Sequence, residues 1–438
     1  MSGSSQRFLV RPSGPLRGEL RVPGDKSISH RAVMLGALAD GITTIEGFLP
    51  GEDCLATRRA FEAMDVACEE TSETGMRIHG VGLYGLSEPS APLDLGNSGT
   101  SMRLLLGLLA GQEFSSTLIG DASLSRRPMR RVTEPLARMG AQIETTEAGT
   151  APLHIRGGQR LHGASYELSV ASAQVKSALL LAGLYAQEPT IVNEPGISRD
   201  HTERMLASFG VDVPVSGLSC RVRGGQRLKA TTIEVPADLS SAAFPVVAAL
   251  MAPGSDILLP GVGVNPSRAG ILKILEMMGA QISLLNVRAA GAEPIADLHV
   301  VAGPLHGVDV PPALVPLAID EFPALLVAAA MASGVTRITG AAELRVKESD
   351  RISAMASGLE AVGVRVEEAA DGITVHGGGV RGGIVDALGD HRIAMSFAAL
   401  GAVAPEGIEI VDVANVQTSF PGFVGAMAGL GLNIEQSA

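Results

Sequence analysis

The sequence predicts an α/β protein built from six copies of one supersecondary unit. Each copy opens with a short polar cluster and continues as an apolar run rich in Ala and Leu. The clusters are anchored, at intervals of 68 to 81 residues, at Ser27, Ser98, Ser172, Ser240, Glu321 and His391. Self-similarity at a steady interval indicates a repeated unit, and this interval is longer than that of common solenoids. Each unit therefore has room for several strands and two helices.

One helix per repeat is expected to begin at each polar cluster. Ser, Thr, Asp and Asn are favourable N-cap residues, because their side chains accept hydrogen bonds from the first free N–H groups of a helix. Some clusters also place Lys or Arg in the first turn, where the helix dipole disfavours a cation. An anionic ligand at the helix N-terminus would resolve this conflict, since the free N–H groups and the dipole both favour a negative charge there.

Strands are expected once per repeat, directly after these helices. Short runs rich in β-branched residues favour strand, and they are Thr43–Glu46, Ser116–Ile119, Pro189–Val192, Asp256–Leu259, Val335–Thr339 and Gly407–Val411. A second series runs in step with the clusters and places Gly or Asp between apolar residues, at Met64-Asp-Val, Met139-Gly-Ala, Phe209-Gly-Val, Met278-Gly-Ala, Val362-Gly-Val and Leu430-Gly-Leu. Both series support the count of six units.

Composition excludes several classes of function. The 438 residues carry a net charge of −12, which argues against a nucleic-acid partner. No apolar run reaches the ~18 residues of a membrane span. The three cysteines form no recognisable metal or disulfide framework, so a reduced, cytoplasmic setting is expected. Cations are nevertheless concentrated in the clusters and in short Gly/Pro-rich segments, which suggests a small anionic ligand: Lys26, Arg31, Arg103, Arg127, Lys176, Lys347, Arg351 and Arg392.

Five motifs in order resemble the 5-enolpyruvylshikimate-3-phosphate (EPSP) synthase family of enolpyruvyl transferases. They are Gly24-Asp-Lys-Ser-Ile-Ser-His-Arg-Ala, Gly96-Asn-Ser-Gly-Thr-Ser-Met-Arg, Arg126-Arg-Pro-Met, Lys347-Glu-Ser-Asp-Arg-Ile and Asp390-His-Arg-Ile-Ala-Met. The resemblance covers essentially the whole chain. It implies the two-domain enolpyruvyl transferase fold, in which each domain is an inside-out α/β barrel of three βαβαββ repeats. Residues 24–235 would form an inserted domain, residues 1–23 and 236–438 the other, and the active site would lie in the cleft between them.

The resemblance also implies an activity. Members of this family transfer the enolpyruvyl group of phosphoenolpyruvate to the 5-hydroxyl of shikimate 3-phosphate and release phosphate, through a tetrahedral intermediate. Such an enzyme needs no cofactor and no metal ion, is inhibited by glyphosate, and is expected to be a cytoplasmic monomer. Both substrates are polyanions, which agrees with the clustered guanidinium groups, since these bind phosphates and carboxylates bidentately.

Individual roles follow from the same resemblance. Asp320 would be the general base for the 5-hydroxyl, and Lys26 or Glu348 would protonate the methylene carbon of phosphoenolpyruvate. The shikimate 3-phosphate site would comprise Lys26, Ser27, Arg31, Ser172, Ala173, Gln174, Ser198, Asp320 and Lys347. The phosphoenolpyruvate site would comprise Lys26, Gly99, Arg127, Gln174, Arg351 and Arg392.

Other interpretations of the same residues remain open at this point. The sister family, the UDP-N-acetylglucosamine enolpyruvyl transferases, normally has a Cys in the loop before Arg-Pro, and the loop from Gly120 to Pro128 has none. A non-catalytic anion-binding repeat protein would keep the apolar pattern without the acids. Asp320 could merely cap the helix that follows it, and Glu348 could form a surface pair with its neighbour.

Asn265-Pro-Ser-Arg268 resembles a signature of the family members that are often less sensitive to glyphosate.

Overall fold

The structure, a computed structural model, describes residues 6–437. In each repeat, one helix begins at the polar cluster, and a second helix follows the strand that comes next in the chain. They are α1 (Lys26–Ala37), α2 (Glu52–Glu62), α3 (Gly99–Leu109), α4 (Arg130–Arg138), α5 (Ala173–Gly183), α6 (His201–Ser208), α7 (Leu239–Met251), α8 (Gly270–Met277), α9 (Phe322–Met331), α10 (Arg351–Ala361), α11 (His391–Gly401) and α12 (Phe423–Gly429). None of them is long and apolar enough to cross a membrane.

The strands of the same residues are short, and each lies in one of six sheets. They are β1 (Arg7–Arg11), β2 (Arg17–Glu19), β3 (Ala39–Glu46), β4 (Ala67–Ser72), β5 (Gly75–Val81), β6 (Leu93–Asp94), β7 (Ser116–Ile119), β8 (Gln142–Glu144), β9 (Leu153–Arg156), β10 (Ser165–Glu167), β11 (Thr190–Asn193), β12 (Val215–Ser216), β13 (Ser219–Val222), β14 (Leu228–Lys229), β15 (Thr232–Glu234), β16 (Asp256–Gly263), β17 (Gln281–Ala290), β18 (Glu293–Val301), β19 (Val335–Ile338), β20 (Arg365–Ala369), β21 (Gly372–His376), β22 (Gly383–Asp386), β23 (Ile408–Val411) and β24 (Asn433–Ser437). Every strand expected from the sequence overlaps an observed one.

Contacts within the described chain define two compact units. The inserted unit comprises Gly24–Val235 together with the short segment Ala290–Glu293. The flanking unit comprises the described residues up to Pro23, Pro236–Ala289 and the described residues from Pro294 onward. Each unit has its own hydrophobic core.

In the inserted unit, each of three sheets is one repeat. The sheet ordered β6-β7-β9-β8 pairs β6 with β7 in parallel, and both of its other pairings are antiparallel. Helix α3 connects β6 to β7, and α4 connects β7 to β8, so the chain order is βαβαββ. The sheet β10-β11-β13-β12 repeats this arrangement around α5 and α6. The remaining repeat contains β3, β4 and β5. Its leading strands, β14 and β15, come from the C-terminal end of the inserted segment and pair in parallel with β3.

The flanking unit is built in the same way and uses the N-terminal strands to complete its sheets. Strand β2 pairs in parallel with β16 and leads the sheet β17-β18-β16-β2. Strand β1 lies between β23 and β24 in the sheet β22-β23-β1-β24. The third sheet is β19-β21-β20. In place of a leading strand it has two isolated parallel bridges, which join His306 to Ser333 and Asp309 to Arg337. The fold class expected from the sequence is confirmed by the architecture of both units.

The second sequence series marks the C-terminal ends of the second helix of each repeat. These helices, here called the outer helices, are α2, α4, α6, α8, α10 and α12. The middle residue in this series always has a positive φ, between 65° and 104°, at Asp65, Gly140, Gly210, Gly279, Gly363 and Gly431. This left-handed residue after a helix turns the chain and lets the last carbonyl groups find donors. Glycine adopts the conformation without strain, and Asp tolerates it better than most residues.

The helices that begin at the polar clusters, here called the inner helices, are α1, α3, α5, α7, α9 and α11. Their close packing sets the positions of their N-termini. Helices α7 and α9 are almost entirely buried and consist mainly of Ala, Leu, Val and Phe. On α3, a Cβ added at Gly107 would lie only 2.0 Å from the carbonyl oxygen of Ala178 on α5. The two helices therefore touch through their backbones, which a larger residue at Gly107 would prevent. Their first turns, which carry the polar clusters, consequently lie side by side.

Candidate active site

Lys26 is the first residue of α1 and is paired with a carboxylate. Its Nζ lies 3.0 Å from Oδ2 of Asp53, in the first turn of α2. Asp25 caps α1 by accepting a hydrogen bond of 2.9 Å from the N–H of Ile28. The sequence did not single out Asp53, because acidic residues are common in the first turn of any helix. The ammonium group of Lys26 is thus held at the N-terminal end of α1.

Arg31 is buried one turn further along α1. Its Nε donates to Thr202 Oγ1 at 2.7 Å, its Nη2 to Ser177 Oγ at 2.9 Å, and its Nη1 to the carbonyl of Ser27 at 3.0 Å. Burial lowers the pKa of Arg31 to about 10, despite nearby carboxylates that raise it. The guanidinium group is therefore still charged at neutral pH, and its orientation is fixed by partners on three sides.

Gly99 begins α3 and is buried against two guanidinium groups. Ser98 caps the helix by accepting a hydrogen bond from the N–H of Ser101 at 3.2 Å. A Cβ added at Gly99 would lie 2.8 Å from Nη1 of Arg103 and 3.1 Å from Nη1 of Arg127. Only a residue without a side chain lets both cations lie this close to the backbone of the first turn.

The same two cations hold polar side chains beside the first turn of α3. Arg127 donates through Nη2 to Oδ1 of Asn97, in the same repeat, at 2.6 Å. Arg103 donates through Nη1 to Oε1 of Gln174, in the next repeat, at 2.9 Å, and the Nε2 of Gln174 donates to Thr100 Oγ1 at 3.0 Å. The first turns of α3 and α5 are therefore linked directly through Gln174, one of the predicted site residues.

Helix α5 begins at the third cluster. Ser172 is its N-cap and accepts a hydrogen bond from the N–H of Val175 at 3.5 Å, and Ala173 is the first helical residue. Both are half-buried. Ser198 lies just before α6 and donates a hydrogen bond to Glu194 Oε1 at 2.5 Å. The structure therefore places Ser172 at a helix N-terminus, whereas Ser198 belongs to a loop.

Lys176 does not face a ligand, contrary to what its position in the third cluster suggested. Its side chain is 3% exposed, and its Nζ lies 2.7 Å from Glu194 Oε2 and 2.8 Å from Glu203 Oε1. The pKa of Lys176 is raised, because the attraction of the two carboxylates outweighs the opposing effect of burial. Lys176 therefore neutralises two buried acids of its own unit.

His30 lies in a buried cluster of hydroxyl groups behind the N-terminus of α3. Its Nδ1 is 2.7 Å from Thr57 Oγ1 and 3.2 Å from Ser101 Oγ, and its Nε2 is 3.4 Å from Ser98 Oγ. Burial, together with the nearby cation of Lys26, lowers the pKa of His30 well below its usual value of 6.5. His30 is therefore neutral and connects α1, α2 and α3.

In the flanking unit, Asp320 lies among three cations from two segments of the chain. Its Oδ1 is 3.4 Å from Nη1 of Arg351 and 3.5 Å from Nζ of Lys347. Its backbone carbonyl accepts a hydrogen bond of 2.8 Å from Nη1 of Arg392. The structure thus brings together four of the predicted site residues at the beginnings of α9, α10 and α11.

Arg351 is the centre of this group and is 1% exposed. Its Nε donates to Asp390 Oδ2 at 2.9 Å, and its Nη2 donates to Glu348 Oε2 at 2.6 Å. Burial opposes its charge, but Asp390, Glu348 and Asp320 together raise the pKa of Arg351. The pKa of Asp390 is lowered in turn, since the attraction of Arg351 outweighs the effect of its burial. Glu348 is therefore an ion-pair partner of a buried cation.

Asp320 does not cap the helix that follows it. The N-cap of α9 is Glu321, and the helix begins at Phe322. The interpretation of Asp320 as a capping residue is therefore wrong. Its carboxylate is left to interact with Lys347 and Arg351.

Each unit thus combines helix N-termini with guanidinium and ammonium groups, an arrangement that suits phosphates and carboxylates. Among residues 6–437, no group of three His, Cys, Asp or Glu side chains is placed to hold a metal ion. The guanidinium and ammonium groups can bind anions, and the side chains of Asp320, Glu348 and Lys26 carry groups that can accept or donate a proton.

Comparison with known proteins identifies the family. The family model for EPSP synthase (3-phosphoshikimate 1-carboxyvinyltransferase) matches residues 10–427. The chain belongs to the EPSP synthase family. A 3-phosphoshikimate 1-carboxyvinyltransferase of Methylococcus capsulatus is 60% identical over 430 residues, which is 98% of each chain. One of Alkalilimnicola ehrlichii is 62% identical over 418 residues, 95% of this chain and 94% of that relative.

Solved structures of EPSP synthases agree with this assignment. The EPSP synthase of Acinetobacter baumannii, solved at 2.37 Å, has a TM-score of 0.89 and 50% sequence identity, over 99% of this chain and 100% of that one. Membership of the EPSP synthase family, which the motifs indicated, is thereby confirmed, together with the fold class and the transferase class. The roles of individual residues stay predictions.

Proposed function

We propose that the protein transfers the enolpyruvyl group of phosphoenolpyruvate to the 5-hydroxyl of shikimate 3-phosphate, with release of phosphate. The observation that carries this proposal is the arrangement around Asp320, whose Oδ1 lies 3.4 Å from Arg351 and 3.5 Å from Lys347. A carboxylate near anionic substrates is electrostatically unfavourable, so its presence there indicates a chemical role. In the family reaction that role is proton acceptance, because the acceptor hydroxyl must lose a proton.

Shikimate 3-phosphate binds, in this proposal, mainly to the inserted unit. Lys26, Ser27 and Arg31 on α1, Ser172, Ala173 and Gln174 at the start of α5, and Ser198 provide its contacts. The free N–H groups in the first turns of α1 and α5 suit its phosphate and carboxylate. Asp320 and Lys347 are the remaining residues of this proposed set.

Phosphoenolpyruvate binds, in this proposal, to a set of mostly cationic residues. They are Lys26, Gly99, Arg127, Gln174, Arg351 and Arg392. The absence of a Cβ at Gly99 leaves the first turn of α3 open beside Arg127, whose Nη1 would otherwise be 3.1 Å from that carbon. Bidentate guanidinium groups fix the orientation of the phosphate and the carboxylate, which places C2 for attack.

The reaction then needs one base and one acid. Asp320 accepts the proton of the 5-hydroxyl as its oxygen attacks C2 of phosphoenolpyruvate, and Lys26 or Glu348 donates a proton to C3. The resulting tetrahedral intermediate loses phosphate and a proton from C3, which forms the enol ether. General acid–base catalysis of this kind contributes about 10²–10⁴-fold to the rate. Arg351, held by Asp390, keeps a fixed positive charge beside Asp320.

Three further properties belong to the same proposal. The protein is inhibited by glyphosate, which competes for the phosphoenolpyruvate site. It acts as a cytoplasmic monomer, and its three cysteines are free, as is usual in a reducing compartment. It requires no cofactor.

Release of phosphate with each candidate acceptor tests the proposal. The purified protein is incubated with phosphoenolpyruvate and either shikimate 3-phosphate or UDP-N-acetylglucosamine, and free phosphate is measured over time. We expect release with shikimate 3-phosphate alone. Release with the sugar nucleotide would favour the sister family, and no release with either acceptor would favour a non-catalytic binding protein.

A further inference from the structure

Helix α9 differs from the other inner helices in how it begins. The N-caps of the other five accept a hydrogen bond from their own first turn, and they are Asp25, Ser98, Ser172, Asp238 and Asp390. Glu321, the N-cap of α9, makes no such bond. Its carboxylate is directed to another repeat instead.

The carboxylate of Glu321 is part of a buried network with α7 and with the Asn265-Pro-Ser-Arg268 motif. Ser240 Oγ donates a short hydrogen bond to Glu321 Oε1, and Nη2 of Arg268 lies 3.6 Å from the same oxygen. Arg268 also donates to Ser240 Oγ at 2.8 Å and to Asp238 Oδ1 at 2.9 Å. The side chains of Arg268 and Glu321 are 3% and 0% exposed.

This network is costly for the fold. Within residues 6–437, the second carboxylate oxygen of Glu321 is buried and has no hydrogen-bond partner. Buried ion pairs often contribute no net stability, because desolvation offsets their attraction, and incomplete hydrogen bonding makes the balance worse. A role in stabilising the fold therefore explains Glu321 poorly, and a role in fixing its neighbour's position explains it better.

That neighbour is Asp320. The carbonyl of Asp320 accepts the 2.8 Å hydrogen bond from Arg392. Glu321, which is joined to that carbonyl by the peptide bond, is anchored through its side chain to Ser240 and Arg268. Both anchors hold the peptide group between Asp320 and Glu321, so they restrict the ψ angle of Asp320 and with it the direction of its carboxylate.

We propose that Glu321, anchored by Arg268 and Ser240, is a positioning residue that holds the Asp320 carboxylate in line with the acceptor hydroxyl. The inference rests on the proposed role of Asp320 as general base. Misplacement of a catalytic group by about 1 Å can reduce a rate about 100-fold. Loss of the anchor should therefore lower kcat and leave substrate binding nearly unchanged.

A double-mutant cycle tests this inference. Glu321→Gln, Asp320→Asn and the double variant are assayed for kcat and for KM of both substrates. We expect Glu321→Gln to lower kcat about 10- to 100-fold with each KM changed less than about threefold. In the Asp320→Asn background, the same change should alter kcat less than about twofold, because there is no base left to position.

Controls separate positioning from folding. Ser240→Ala removes the hydrogen bonds of the hydroxyl with Glu321 and Arg268 and keeps all charges, so it should fold and lower kcat in the same direction. Ser396→Ala removes another buried hydroxyl of the flanking unit, one without a hydrogen-bond partner among the described residues, and should leave kcat unchanged. Equal losses from Glu321→Gln in both backgrounds, or an effect on KM alone, would overturn the inference while leaving the proposed function intact. Full activity of Asp320→Asn would overturn the role of Asp320 as well.

Discussion

Substitution of Asp320 by Asn separates catalysis from structure at the centre of the flanking unit. The change preserves the shape of the side chain but removes the negative charge that lies 3.4 Å from Arg351 and 3.5 Å from Lys347. The N-cap of α9 is Glu321, so the substitution removes no helix cap. Arg351 keeps its contacts with Asp390 and Glu348.

The expected magnitudes follow from these contacts. Loss of a general base should lower kcat about 10²–10⁴-fold, which corresponds to roughly 3–5 kcal/mol in activation free energy. A hydrogen bond to a charged group contributes about 1.5–3 kcal/mol to stability. The loss of unfolding free energy should lie at or below the lower end of that range, because the Asp320 side chain is partly exposed and Arg351 retains two other carboxylates. Affinity for shikimate 3-phosphate should persist or rise slightly, since a negative charge near an anion is removed.

One preparation of each protein serves for all three measurements. Phosphate release gives kcat, calorimetric titration gives the affinity for shikimate 3-phosphate, and urea unfolding gives the stability. Asp309→Asn is a matched control, because Asp309 forms an exposed ion pair with Arg337 in the same unit, 3.1 Å apart. Near-normal turnover of Asp320→Asn would remove this residue from the mechanism, and a loss of turnover explained by unfolding alone would refute the assignment of a base.

Three further substitutions test other parts of the structure. Gly99→Ala should raise the inhibition constant for glyphosate more than KM for phosphoenolpyruvate, because its Cβ crowds two guanidinium groups and the longer inhibitor has less room; equal rises would contradict the steric argument. Because the pKa of His30 is lowered, unfolded chains bind a proton that folded chains do not, so stability should fall below pH 6.5 by up to ~1.4 kcal/mol per pH unit. In urea unfolding at several pH values His30→Asn should reduce this slope, and an unchanged slope would count against a neutral His30. Arg351→Met should lower the unfolding free energy by about 3–5 kcal/mol, because Asp390 stays buried without its cation; a loss below about 1 kcal/mol, measured in urea, would show that Asp390 finds another partner.

Local features of the fold were predictable from the sequence because they obey local rules. The polar clusters begin helices since Asp and Ser accept hydrogen bonds from the first turn, as at Asp25 and Ser98. The second series ends helices since Gly and Asp adopt positive φ, as at Gly140 and Asp65. Such preferences depend on a few neighbouring residues, so a single sequence displays them.

Contacts between distant residues were not predictable in the same way. The pairing of Lys26 with Asp53 and that of Arg268 with Glu321 depend on how distant segments pack. The identity of an Asp or Arg in a polar segment does not show which residue it will pair with. Lys176 illustrates the resulting error, since a cation in a cluster was expected to face a ligand and instead neutralises buried acids. Family resemblance supplied the assignments of ligand-binding residues that spacing alone could not.

The position of β1 has a consequence for how the chain folds as it is synthesised. Among residues 6–437, the strand Arg7–Arg11 pairs with Ile408–Val411 and Asn433–Ser437, which leave the ribosome about 400 residues later. At translation rates of roughly 5–20 residues per second, the N-terminal segment waits for about 20–80 s without its partners. The inserted unit has all of its repeats by Val235 and can fold in that interval. The flanking unit, by contrast, completes this sheet only after Asn433–Ser437 has been synthesised, so it is completed later than the inserted unit.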